Sequence, residues 1–408
     1  MKNKKNKTGE LKNTTEGSNP IVANKFIPIL KTIIPVLVAI QLWLFVFRDT
    51  EKLVFQSLDA QEGIHKRTVL LIISILLLIY SFLHFFRLDI SNKIKNVLLL
   101  IYSTILIFLV FEVVFMYQPI SQGTGYAYCN KLWFNKYWQR NEIGYRDEPY
   151  NAASDTLKNK IVMLGDSYVA GHGTNNVKDR MSNLLEKKLG KTYRVFNLGK
   201  NGSTTIDEFD RLKNFPYKYD KLILVHVPND LEYLDKNDDA NQINESEEIN
   251  NSNSIANFFI KESFFINFIS YTHAGILMQG LAAFFSSSNN NEIEQEPIYP
   301  FSDSAKLRKH LSNLLMIDKE LKEHQIKLLI VSFPFPGNED SKAAYYYQQF
   351  IKQLKLTNLN YLDAMPICNQ LKRRQQVVSA LDGHPSVKVQ QMVTDSIFKR
   401  LKDDSWIP

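Results

Sequence analysis

Cysteine is scarce in this chain: Cys129 and Cys368 are the two among 408 residues. They allow one disulfide or two buried thiols, and spacing does not choose between these. No Cys/His cluster has metal-ligand spacing, and there is neither a Walker loop nor a dinucleotide fingerprint, so no metal or organic cofactor is implied. Charge of one sign is in only modest excess, +7 overall. Six Lys against Glu10 and Glu16 place +4 of that in the first 25 residues. The remainder is close to neutral, so the excess is no sign of nucleic-acid binding. Residues 1–25 read as a disordered basic tail near an anionic inner leaflet.

What the chain does have is long apolar runs. Thr32–Phe47, Thr68–Phe86 and Val97–Tyr117 are dominated by Leu, Ile, Val and Phe. With Phe26–Lys31 added to the first, each can cross a hydrocarbon core about 30 Å thick, which takes about 20 residues. Residues 26–117 are therefore expected to form a three-helix transmembrane anchor in the lipid bilayer. "QLWLFVFRDT" after the first run lacks a small-residue cleavage site, which favours an uncleaved anchor over a signal peptide. Nine Lys and Arg in the tail and second loop against roughly six elsewhere near the spans favour a cytoplasmic amino terminus. Three crossings then put the carboxyl-terminal region outside the cytoplasm. Glu112, near the outer end of the third run, is expected to reach the interface.

Residues 118–158 read as an aromatic-rich connector. "GYAYCNKLWFNKYW" supplies an interfacial belt, ordinary packing, or a stacking platform for a sugar. From 159 to 408 strand and helix patterns alternate. Ile161–Leu164, Tyr193–Leu198 and Leu222–Val227 are short apolar strands, "IKLLIVSFPF" supplies a fourth, and "LNYLDA" a short fifth. A closing helix is expected from about Pro385 to Leu401. Repeated βα units of this kind predict a parallel sheet with helices on both faces. An insertion at about 235–300 interrupts them with acidic, Asn-rich sequence. Within it, residues 263–285 are uncharged apart from His273. A fourth crossing there would split one sheet across a bilayer, so the segment is expected to be a lid, a core helix or a membrane-lying helix.

The chemistry begins at "IVMLGDSYVAGHG", residues 161–173. Ser167 stands just past the carboxyl end of the first strand, where open α/β sheets bind ligands. A hydroxyl there also suits a helix cap. A serine needs a base to become a nucleophile, and "ALDGHPS" offers His384 with Asp382 to orient it. An oxyanion needs donors, and Gly202 in "NLGKNGSTT" and Asn229 in "HVPND" follow the second and third strands. Asp166 and Asp230 read as holders of their turns, and His226 as a core histidine. His172 reads as packing or loop bonding, with contact to substrate as the alternative. "GDSYV" is not the G-x-S-x-G elbow.

In order and context, Ser167, Gly202, Asn229 and His384 resemble the four blocks of the SGNH (GDSL-type) esterase/lipase superfamily, over about 160–234 and 326–400. "NEIGYRD" at 141–147 also resembles membrane-attached bacterial members. The resemblance implies a flavodoxin-like three-layer α/β/α hydrolase domain preceded by the three transmembrane helices. It implies Ser167 as nucleophile, His384 as general base, and an oxyanion hole from the Ser167 N–H, the Gly202 N–H and the Asn229 amide. Two departures stand out: Val227 replaces a glycine usual two residues before the Asn, and the carboxylate lies two rather than three residues before His384. The expected activity is hydrolysis of O-acyl esters, acetyl foremost, of an envelope carbohydrate or a lipid, without metal. The alternatives are O-acyl transfer to an envelope polysaccharide and a catalytically silent binding protein on the same fold.

Overall fold

The computed structural model describes residues 20–56, 60–123, 127–150, 159–231, 255–272, 302–334 and 342–408. The tail expectation for 1–19, the acidic stretches at 235–254 and 286–296, and residues 273–285 lie outside them. The chain divides into two compact units, Met1–Met116 and Tyr117–Pro408.

The first unit contains α1 (Pro20–Val46), α2 (Thr50–Gln56), α3 (Ala60–Phe85) and α4 (Asn92–Met116). Three stretches are long and apolar enough to cross a membrane: Ile27–Val46, Ala60–Phe85 and Asn92–Met116. Each helix starts ahead of its apolar run, because backbone hydrogen bonding continues through the polar flanks. The seven-residue α2 carries too little periodicity to be read from sequence. Leu44, Phe45, Leu83 and Leu100 are each more than half exposed, a pattern suited to hydrocarbon rather than water. Inside, the Ser81 hydroxyl donates to the Thr32 carbonyl at 2.6 Å and meets the Tyr102 hydroxyl at 2.7 Å, tying α1, α3 and α4 together. Such partners matter where no water can supply them. Glu112 is fully buried, on the same helical face as buried Leu109 and Met116.

The second unit opens with α5 (Tyr128–Tyr137). Its sheet comprises β1 (Asn159–Gly165), β2 (Tyr193–Gly199), β3 (Lys221–His226), β4 (Lys327–Ser332) and β5 (Tyr361–Asp363). All pairings are parallel, in the order β2-β1-β3-β4-β5. Alternate residues explain its two faces. Val162, Leu164, Leu222, Leu224 and Ile330 point to one core, with α8 (Thr205–Lys213), α11 (Ser304–Glu323) and α12 (Lys342–Lys355). Ile161, Met163, Ile223, Val225 and Val331 point to the other, with α7 (Met181–Leu189) and α15 (Val387–Asp403). Both faces are covered, which is why these strands read as unbroken apolar runs. A one-turn helix α6 (Ser167–Ala170) follows β1. It packs so tightly on β2 that a Cβ on Gly199 would fall 2.1 Å from the Ala170 nitrogen.

Between β3 and α11 the described part of the insertion forms α9 (Ile255–Glu262) and α10 (Phe264–Ser270), broken at Ser263, whose hydroxyl caps α10. Neither is long enough to span a bilayer. Buried Asn267 of α10 accepts from the Tyr128 N–H at 2.8 Å, and Phe264 meets the Tyr128 ring, so α10 is docked on α5. Late in the chain come α13 (Met365–Cys368), α14 (Arg373–Gln376) and an antiparallel ribbon, β6 (Val377–Ser379) with β7 (Asp382–Pro385). Cys129 and Cys368 are both buried free thiols.

The stretch 141–150 is stitched into the unit rather than lying on it. Asp147 pairs with Arg180 at 2.8 Å in full burial, and accepts from the Asn197 N–H and the Tyr150 hydroxyl. Arg146, 1% exposed, forms no ion pair among the described residues and instead donates to the carbonyls of Tyr137, Ala170 and Thr174. Its guanidinium lies over the rings of Trp133 and Trp138. These bonds carry α5 against the turn that holds Ser167.

Buried histidines set a pH dependence. His226 ends β3 and faces His310 of α11 at 4.6 Å between ring centres, with Phe350 beyond. Neither nitrogen of His310 has a hydrogen-bond partner among the described residues, and burial holds its pKa down to about 3. The unfolded chain takes up that proton below about pH 6.5, the folded one only near 3. The penalty is thus absent above 6.5 and grows as pH falls. His310→Phe should gain on the native protein at pH 5 relative to pH 7.5, by up to about 1.4 kcal/mol per pH unit. Thermal unfolding at the two pH values measures it, and a pH-independent difference refutes it.

Candidate active site

In a sheet of this order the helices after β1 and β3 leave for opposite faces, so the crevice opens between those two strand ends. Ser167 stands two residues past β1 and Asn229 three past β3, one on each lip. Gly202 lies three past β2 with φ +69, a left-handed turn that glycine adopts without strain, and a Cβ there would meet nothing. Asp382 and His384 arrive on β7.

His384 Nε2 is 2.9 Å from Ser167 Oγ, and His384 Nδ1 is 2.6 Å from Asp382 Oδ1. A carboxylate only accepts, so Nδ1 carries the proton and Nε2 presents its lone pair to the serine hydroxyl. Burial alone would raise the Asp382 pKa. The hydrogen bond and charge of His384, helped by His172 and Ser121, bring it down to about 2. The Asp-x-His spacing works because both residues sit on one short strand, and Asp382 also accepts the His384 backbone N–H at 3.1 Å.

Ser167 is not the cap of its helix. Asp166 is, accepting from the Tyr168 N–H at 2.8 Å, and this leaves the serine hydroxyl for His384. The other oxygen of Asp166 lies 3.1 Å from Asn229 Nδ2 and 3.3 Å from Ser167 Oγ, so one buried carboxylate touches both lips of the crevice. One amide proton of Asn229 is thereby used, and the other has no partner among the described residues. Burial raises the Asp166 pKa, against the Tyr168 and Asn229 bonds that lower it. Behind it, Glu208 and Asp230 are pushed well up by burial, then by neighbouring acid charge. Asp230 holds its turn by accepting from the N–H of Val227, the residue that departs from the usual glycine.

His172 lies flat on His384, ring centres 4.1 Å apart and planes 4° off parallel. Trp133 of α5 stacks on it at 5.4 Å. The Asn201 amide donates to its Nδ1 at 3.0 Å, so Nε2 bears the proton and donates to the Gln122 carbonyl at 3.0 Å. Burial, then the neighbouring His384, keeps it neutral, with a pKa of about 3. Of the readings open for "GYAYCNKLWFNKYW", packing is the one realised for buried Trp133. His172, Asp382 and His384 offer atoms within 4.8 Å of one another, close enough for a metal. The nitrogens of both histidines are engaged in the bonds just described. Reading the sequence missed Ser121, whose hydroxyl donates to Asp382 Oδ2 across 261 positions. "PISQG" carries no pattern that would have flagged it.

No family model matches the chain. No curated protein matches it either. Among solved structures, the carboxyl-terminal 60% is similar to a member of the lipolytic protein G-D-S-L family from Veillonella parvula, at 12% identity, 96% coverage of that chain and TM-score 0.33. It is also similar to a catalytic mutant of an acetylxylan esterase from Geobacillus stearothermophilus (16%, covering 60% of this chain and 94% of that one, TM-score 0.34). A carbohydrate acetylesterase family member from Sinorhizobium meliloti matches at 14% (60% and 98%, TM-score 0.30). The fold class rests on the strand order: the second unit is a five-stranded parallel sheet between helices, flavodoxin-like in topology.

Proposed function

We propose that this protein is a membrane-anchored serine esterase that hydrolyses O-acyl esters, acetyl foremost, of an envelope carbohydrate or a lipid. The observation that carries the reading is the unbroken line from Asp382 through His384 to Ser167, 2.6 and 2.9 Å. Ser167 Oγ attacks the ester carbonyl while its proton passes to His384 Nε2, and Asp382 steadies the imidazolium so formed. The charge that develops on the carbonyl oxygen falls to the Ser167 and Gly202 N–H groups and to the free proton of the Asn229 amide. His384 returns the proton to the departing alkoxide. Water, deprotonated by the same imidazole, then releases the acid from Ser167. If a sugar hydroxyl takes the place of water, the same residues transfer the acyl group instead.

The test uses the full chain in detergent with an acetyl ester, a long-chain ester and an acetylated polysaccharide. Free acid from the acetyl substrates is expected, with slower turnover of the long-chain one. Absence of acid from all three refutes the esterase reading, and acid that appears only as a new ester on an added sugar marks transfer. On the Lys and Arg asymmetry, the same reading has the amino terminus in the cytoplasm and the second unit outside it. A reporter active only outside the cytoplasm should therefore be on when fused after Ile143 and off when fused at Lys93. The reverse result inverts the topology.

A further inference from the structure

The stretch that follows α4 in sequence enters the site from outside all four sequence blocks. We propose that Ser121–Gly123 is a positioning strap for the catalytic line, holding Asp382 through Ser121 and the plane of His384 through His172. This rests on the esterase reading and adds to it a segment that lies ahead of the sheet in the chain.

The case starts at the carboxylate. Asp382 is fully buried, and its Oδ1 takes both the ring N–H and the backbone N–H of His384. Its Oδ2 takes the Ser121 hydroxyl. With both oxygens bonded, the carboxylate plane is fixed, and so is the direction in which it aims Nδ1–H. Gly173 packs close on the same oxygen, since a Cβ there would sit 2.7 Å from Oδ2. Two residues beyond Ser121, the Gly123 N–H donates to the Leu381 carbonyl at 3.1 Å, pinning the backbone next to Asp382.

The second hold is on the imidazole. The Gln122 carbonyl accepts His172 Nε2–H, while the Gln122 N–H is itself held by Asn130 of α5 at 3.1 Å. His172 is pressed between Trp133 and His384, so its ring is a flat stop against rotation of His384. Tyr168 closes the edge at 5.8 Å. The charged or titratable groups around His384 are thus Asp382, Asp166, His172 and Tyr168. His172 has one nitrogen donating and the other accepting, with no proton to trade. It acts through His384 and is a positioning residue, as is Ser121.

The experiment measures, on the full chain in detergent, the rate at which a fluorophosphonate labels Ser167, together with kcat and KM for an acetyl ester. Ser121→Ala leaves a buried charged oxygen without its donor, and labelling and kcat should each fall about tenfold. KM should stay within about twofold, because no contact to substrate is removed. Ser121→Thr keeps the hydroxyl and should recover most of the loss. His172→Ala, which strips the flat stop, should lower the labelling rate as Ser121→Ala does. Equal labelling of the native chain and Ser121→Ala overturns the strap, as does a Thr variant no better than Ala. A native chain left unlabelled at Ser167 overturns the esterase reading and the strap with it.

Discussion

Ser167→Ala is expected to remove ester hydrolysis, by about 10⁴-fold or more, while the protein still folds. The size of the loss follows from the chemistry, since without Oγ no covalent acyl intermediate forms and His384 has no hydroxyl to deprotonate. That the fold survives follows from the local structure. The Ser167 side chain bonds only to His384 and Asp166 among the described residues, and the cap of α6 belongs to Asp166. An alanine at the first helical position removes neither the cap nor a packed group. Turnover of an acetyl ester, a thermal unfolding curve and fluorophosphonate labelling together decide it. Unchanged turnover, or label on another serine, dismisses Ser167 as the nucleophile.

The second large effect is expected from Asp382→Asn, a fall in kcat of about 10³–10⁴-fold with little change in KM. Asp382 serves three donors: the ring and backbone N–H groups of His384 and the Ser121 hydroxyl. An amide has a single oxygen to offer. Turned toward Ser121, it sets an NH₂ against Nδ1, and the imidazole proton moves to Nε2, where it faces Ser167 and blocks base catalysis. Turned toward His384, it keeps the tautomer but withdraws the charge that steadies the imidazolium. Either orientation lowers kcat rather than binding. Steady-state kinetics of the variant check this, and a loss confined to KM would place Asp382 against substrate instead.

Much of this architecture is legible along the chain. Alternation in Ile161–Leu164 and Leu222–Val225 already assigns each residue to one face of a sheet, since strand side chains point up and down by turns. The three apolar runs announce themselves because hydrocarbon demands about 20 residues without relief. Ser167, Gly202, Asn229 and His384 stand out because each follows a strand pattern or precedes a helix, where small and polar residues break an apolar run. The ribbon that presents Asp382 and His384 is too short for any periodicity to register.

Other assignments turn on contacts between distant segments, and local pattern holds no information about these. Whether Ser167 or Asp166 caps α6 depends on which side chain has a better partner, and Ser167 has one in His384, 217 positions later. The aromatic stretch around Trp133 reads alike as belt, platform or packing until the fold lays His172 against it. Local pattern along the chain was enough for the membrane-length helices and the sheet, because burial in hydrocarbon or in a two-faced core selects residue types one position at a time. Tertiary structure alone decided that Ser121, Gln122 and His172 close around Asp382 and His384, because a hydrogen bond or a ring stack selects pairs, and nothing in either partner's own neighbourhood records the other.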